Sequence, residues 1–151
     1  MGLGVPPHQD EPLSGLDYLK HNLKDWHGSA MAETMNMRLL TVAEGTATFE
    51  GNPSPKYYNP QMLLHGGYVA TLIDSALGCA VQTKLPARIG YGTIELKVNY
   101  VRRIIADTGR LLCTGTVIHA GRTMLTADAR VVDEHGKLYA HGSGTFLVYP
   151  K

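Results

Sequence analysis

The segment 65–81, HGGYVATLIDSALGCAV, constrains this chain more than any other. Val69, Leu72, Ile73, Ala76, Leu77, Ala80 and Val81 recur at i, i+3, i+4, i+7, i+8, i+11 and i+12. That is the 3.6-residue period of one helix face. The stretch is apolar enough to predict a central, mostly buried helix. Asp74 is its one acid and falls at the edge of the apolar stripe. Burying a carboxylate there is costly unless it is paired or has a task. At the front stand His65, Gly66 and Gly67. Glycines admit close approach of another backbone or a ligand. The first helical turn also offers free N–H groups and the positive end of the helix dipole. One segment thus supplies oxyanion-type donors and, further along, a candidate carboxylate.

The rest of the chain reads as hairpins around that helix. With 151 residues, 44% of them apolar, the chain is long enough for a sizeable core. The expected organisation is a tail over 1–12, with three prolines and no periodicity, then a single domain over 13–151. Residues 13–23 predict a short helix with Ser14 as N-cap. Residues 25–29 read as a loop and 31–37 as a second helical turn. A hairpin over 37–50 turns at Ala43-Glu44-Gly45. The loop 51–60, GNPSPKYYNP, precedes the central helix. After a loop over 83–92, a strand over 93–105 alternates. Ile94, Leu96, Val98 and Tyr100 lie on one face, Thr93, Glu95, Lys97 and Asn99 on the other. Strands over 110–119, 123–132 and 137–149 follow, joined by turns at Ala120-Gly121-Arg122 and at 133–136. Gly142 and Gly144 predict a bend or close backbone approach in the last strand. Consecutive strands with short turns are antiparallel, and one apolar helix must be covered by their sheet.

Net charge is +1, with both signs interspersed, which argues against nucleic acid as a partner. No stretch predicts a membrane span or a signal peptide. Cys79 and Cys113 lie in apolar segments and read as buried free thiols, which fits a cytoplasmic location. No metal-ligand spacing and no nucleophilic Ser or Cys motif is present.

The order of elements resembles the hotdog fold, an α+β architecture in which a curved antiparallel β-sheet wraps around one long helix. The motifs carry the likeness further. Tyr58-Asn59-Pro60, His65-Gly66-Gly67, Leu72-Ile73-Asp74-Ser75-Ala76, His119-Ala120-Gly121-Arg122-Thr123 and the closing stretch 140–145 resemble the PaaI-type acyl-CoA thioesterases over most of residues 13–149. The resemblance implies hydrolysis of a CoA thioester to free acid and CoA by a homodimer or homotetramer, with sites at the subunit interface. It implies Gly66 N–H as oxyanion donor, Asn59 orienting substrate or water, and Asp74 as general base or nucleophile. Thr93 would position the water, and His65 would fix the loop geometry. Gly67 and Tyr68 would meet substrate, with Met62, Leu63 and Leu64 beside an acyl pocket. Gly121, Arg122 and Thr123 would meet the CoA moiety. No cofactor is expected, since CoA is part of the substrate. A related hotdog branch places a water-positioning Thr one turn after the carboxylate; here Gly78 stands there. The alternative is a hotdog protein that binds acyl-CoA without turning it over. A hotdog dehydratase would need a His-plus-acid arrangement that this sequence lacks.

Overall fold

The computed structural model describes residues 12–24 and 29–150. Three helices, α1 (Gly15–Asn22), α2 (Ala30–Thr34) and α3 (Gly66–Gln82), accompany six strands. The strands are β1 (Met37–Ala43), β2 (Thr46–Gly51), β3 (Ile89–Tyr100), β4 (Leu111–Ala120), β5 (Met124–Val132) and β6 (Leu138–Pro150). They form one sheet in the order β1-β2-β4-β5-β6-β3, every neighbouring pair antiparallel. α3 packs against all six, so the sheet wraps the helix in the hotdog arrangement. The tail over 1–12, apart from residue 12, and most of the loop over 25–29 lie outside the described residues.

Local chemistry sets the helix ends. Ser14 caps α1: its hydroxyl oxygen accepts the Asp17 N–H and its O–H donates to the Asp17 carboxylate. Ser29 caps α2 in the same manner. At the C-terminal end of α3 the Thr83 hydroxyl donates to the Ala80 carbonyl and accepts the Gly45 N–H. That ties the β1–β2 turn to the end of α3. Gly45 adopts φ 78°, the left-handed conformation that glycine enters without strain.

The buried side of α3, including Tyr68, Val69, Leu72, Ile73, Ala76 and Leu77, meets Phe49, Leu111, Cys113, Val131 and Phe146 of the sheet. Both thiols are buried, and burial alone pushes the Cys79 thiol up to about 12 and Cys113 higher still. Neither is a nucleophile at neutral pH.

One element departs from the sequence reading. β3 starts at Ile89 inside the expected loop and ends at Tyr100, five residues short of the expected end. Gly90 and Gly92 suggest a loop, but 89–92 pair with the tail of β6, Ile89 opposite Pro150 and Gly92 opposite Leu147. The ladder overrides local propensity. The strand also carries a bulge: Thr93 pairs with Phe146 and Glu95 with Thr145, leaving Ile94 as an extra residue. The bulge resets the alternation. Ile94, expected on the apolar face, is 56% exposed. Thr93, expected among the polar residues, turns toward α3.

Candidate active site

The turn into α3 is held by its own polar groups. Asn59 Oδ1 accepts the N–H groups of Gln61 (2.9 Å) and Leu63 (3.2 Å), an Asx-type turn that closes the loop before the helix. Within this turn Met62 takes φ 62°, an uncommon conformation for a non-glycine residue. Among the described residues the Asn59 amide nitrogen donates to nothing, so its two N–H bonds remain available. His65 is the N-cap of α3, and its Nδ1 accepts the Gly67 N–H at 2.8 Å. Nδ1 therefore carries no proton in this arrangement, and a neutral ring holds its proton on Nε2. The His65 carbonyl accepts the Tyr68 N–H. The Gly66 N–H has no acceptor among the described residues.

Further along α3, Asp74 is half-buried and its Oδ1 accepts the Thr93 hydroxyl at 2.9 Å. Among the described residues no Arg or Lys forms an ion pair with Asp74. Above it on the helix, the position of Gly78 is covered by Tyr91. A Cβ on Gly78 would lie 3.2 Å from the Tyr91 hydroxyl oxygen and 3.3 Å from Cε2. Burial first, then Cys79 and Asp74 nearby, hold the Tyr91 phenol well above its ordinary value. A side chain at 78 would require Tyr91 to move by a few tenths of an ångström, and the hydroxyl on Asp74 comes instead from Thr93 in the sheet. Gly78→Thr should destabilise the fold by about 1–3 kcal/mol, the usual penalty for an overpacked core. Urea denaturation checks this, and a Gly78→Thr protein as stable as wild type would mean that Tyr91 yields freely.

The 121–123 turn closes through the Gly121 N–H to the Met124 carbonyl, and the Thr123 carbonyl accepts the Val148 N–H. Arg122 is exposed and forms no ion pair among the described residues. Thr93 pairs with Phe146 and Phe146 with Leu125, so Leu125 lies roughly 10 Å across the sheet from Thr93, two strand spacings away, and the turn lies two to four residues before Leu125. Tyr68 goes elsewhere. Its ring is fully buried against Gly51 and Tyr57, its hydroxyl accepts the Asn52 N–H, and burial pushes its phenol up to about 12. That ring is committed to packing. Leu64 is buried, whereas Met62 is exposed.

The candidate residues therefore fall into two separate groups. Gly66 and Asp74 are eight residues apart, about 12 Å along a helix rising 1.5 Å per residue. A thioester carbonyl held by one is out of reach of the other, since catalytic hydrogen bonds span about 3 Å.

A model of the thioesterase superfamily matches residues 62–140, more than half of the chain and inclusive of Gly66, Asp74, Thr93 and the 121–123 turn. The chain belongs to the thioesterase superfamily. An esterase candidate of Halobacterium salinarum is 36% identical over 94 residues, which are 57% of this chain and 60% of that protein. The match thus spans less than two thirds of the haloarchaeal relative. The 1,4-dihydroxy-2-naphthoyl-CoA hydrolase of Listeria monocytogenes is 25% identical over 122 residues, 80% of this chain and 97% of that enzyme. Among solved structures, the Escherichia coli PaaI protein from the phenylacetic acid degradation operon superposes with a TM-score of 0.77. It is 21% identical, over 89% of this chain and 94% of that one, a likeness of fold. This superfamily member has no helix, among its described residues, long and apolar enough to cross a membrane.

Two contributors to the candidate site escape a reading of sequence alone. Tyr100 donates its hydroxyl to the Gly66 carbonyl at 2.8 Å, and Tyr91 covers Gly78. Both lie on β3 and meet α3 only through the tertiary fold. The sequence signal for Tyr100 is only its place on the apolar face of the alternating strand, and for Tyr91 only an aromatic residue just before it.

Proposed function

We propose that this thioesterase-superfamily protein hydrolyses acyl-CoA to a free carboxylic acid and CoA, as a homodimer or homotetramer with sites shared between subunits. The observation that carries the reading is the Asp74 carboxylate. It is the one charged group of its helix and is bound to the Thr93 hydroxyl, with no cationic partner among the described residues.

In this reading the thioester oxygen accepts the Gly66 N–H of one subunit, and the Asn59 amide orients substrate or water beside it. The second subunit supplies Asp74. Thr93 holds Oδ1, which leaves Oδ2 to take a proton from the attacking water. The water oxygen bonds to the carbonyl carbon, charge gathers on the oxyanion, and the tetrahedral intermediate collapses with release of the CoA thiolate. Asp74 attacking the carbonyl directly, through an acyl-aspartate anhydride, uses the same placement. Preorganised donors to such an oxyanion are typically worth about 3 kcal/mol each. Arg122, at the Asp74 end of the sheet, is suited to a CoA phosphate. Support for a second subunit comes from the separation of the two groups and from β3. That strand ends the sheet order, and its outer edge has no partner among the described residues.

The relative named for 1,4-dihydroxy-2-naphthoyl-CoA directs attention to aromatic acyl groups. The test is CoA thiol release from a graded panel of aromatic and aliphatic acyl-CoAs, with the oligomer mass measured under assay conditions. Release with a preference within the panel, by a dimer or larger assembly, is the expected result. CoA binding without release from any thioester would replace this reading with a binding protein. Full activity in a monomer would overturn the shared site.

A further inference from the structure

We infer that Tyr100 is a positioning residue that aims the Gly66 N–H at the substrate oxygen by locking the Gly66–Gly67 peptide. The inference rests on the reading of Gly66 as oxyanion donor. Two consecutive glycines are the least restrained pair a chain can place at a helix start, because no Cβ limits their rotation. An oxyanion donor must nevertheless be fixed before the reaction, since reorganising it during the reaction forfeits its advantage.

The hydrogen bonds around this pair show how it is fixed. The His65 carbonyl accepts the Tyr68 N–H at 2.9 Å. The Gly67 N–H donates to His65 Nδ1 at 2.8 Å. The Gly66 carbonyl accepts the Tyr100 hydroxyl at 2.8 Å. The Gly66–Gly67 peptide is thus pinned at both ends, by His65 at its N–H and by Tyr100 at its C=O. Of the four backbone groups in these two peptides, only the Gly66 N–H is left over.

Tyr100 also crowds the position of any side chain at residue 66. A Cβ there would lie 3.0 Å from the Tyr100 hydroxyl oxygen, 3.1 Å from Cζ and 3.3 Å from Cε1. The ring lies over the glycine in space that any side chain would take. Packing alone does not account for this residue, because Tyr100 is 56% exposed. Partial burial raises its phenol above the ordinary value, so the hydroxyl remains a neutral donor at physiological pH. His65 holds the turn from within α3, whereas Tyr100 holds it from the end of β3, 34 residues on. The donor is thereby referenced to the sheet that also positions Thr93.

The test is Tyr100→Phe, which keeps the ring and removes the hydroxyl, beside Tyr100→Leu, which removes both. Steady-state thiol release is read together with amide spectra of glycine-labelled protein, in which Gly66 and Gly67 are two of seventeen glycines. For Tyr100→Phe the expected result is a fall in kcat of about tenfold, with KM within about twofold. The Gly66 and Gly67 amide signals should move or broaden while melting temperature and oligomer mass hold. Tyr100→Leu should show at least the same loss of kcat. An unchanged kcat in Tyr100→Phe, against an active wild type, overturns the positioning role and leaves the hydrolase reading intact. A loss that comes with a lower melting temperature, and with kcat and KM both altered, assigns Tyr100 to structure and overturns it equally. A wild type that releases no thiol removes the hydrolase reading itself; the positioning role, as a role in catalysis, falls with it.

Discussion

Asp74→Asn is expected to reduce thiol release at least about a hundredfold, the low end of what a positioned general base contributes. The substitution is nearly isosteric. An asparagine oxygen can still accept the Thr93 hydroxyl, so the local geometry, 2.9 Å between Thr93 Oγ1 and residue 74, survives. What disappears is the group that takes the proton from water or attacks the carbonyl. The same change should not weaken the fold. The carboxylate is half-buried with no cation beside it among the described residues, and its one printed bond, to the Thr93 hydroxyl, is one that asparagine keeps. Removing the charge should leave the melting temperature level or higher. A variant that loses activity and gains stability marks a group kept for chemistry at the expense of folding. Wild-type turnover in Asp74→Asn would refute the catalytic assignment. A large loss of stability would instead return Asp74 to the structural acids.

Gly115→Ala is expected to destabilise the fold strongly. Gly115 lies in β4 directly beneath α3, and a Cβ there would fall 2.5 Å from the Ala76 carbonyl oxygen, 2.7 Å from its carbon and 3.0 Å from the Leu77 nitrogen. These atoms belong to the middle of the buried helix and cannot rotate away. One methyl group therefore has to push α3 off the sheet or bend β4. We expect a loss of about 3 kcal/mol or more, at the upper end of overpacking penalties. For a chain of this size that is a drop of about 10 °C in melting temperature. Gly92→Ala is the matched control, because its Cβ would meet only Tyr149 Cε1 at 3.8 Å. Chemical denaturation of the two variants side by side decides the point. Equal stabilities would mean that α3 rides more loosely on β4 than these distances allow. The displacement matters for function as well, since Ala76 is two residues from Asp74 and any shift of α3 moves the carboxylate relative to Thr93.

Much of the framework is legible in the amino-acid order. The 3.6-residue period gives α3 to within a residue at each end, because a helix is built from contacts three and four residues apart. Ser14 and the Glu44-Gly45 turn are likewise local signals, and each appears where its chemistry places it. The odd position of Asp74 on the helix face is also visible, since polarity and period are both properties of the sequence. The glycines of β6 announce close approach, and a Cβ on Gly142 would indeed collide with the Lys97 carbonyl oxygen.

The partners of these groups were decided by the tertiary structure. Strict alternation puts Thr93 with Glu95 and Lys97 and places Ile94 toward the helix. The bulge at Ile94 reverses both, and it exists because β3 must stay in register with β6 on either side. Without that one extra residue Thr93 would face away from Asp74. Tyr100 and Tyr91 belong to the same class, reaching Gly66 and Gly78 only once β3 lies alongside α3. Tyr68, one residue beyond the glycines, turns into the core because the helix period carries it under Gly51. The sequence by itself determined the central helix, the Ser14 cap, the hairpins and the residue types able to do chemistry, all of which follow from neighbours a few residues apart. The tertiary structure decided which hydroxyl meets the carboxylate and which backbone N–H stays free, because those outcomes depend on strand register between residues about fifty positions apart.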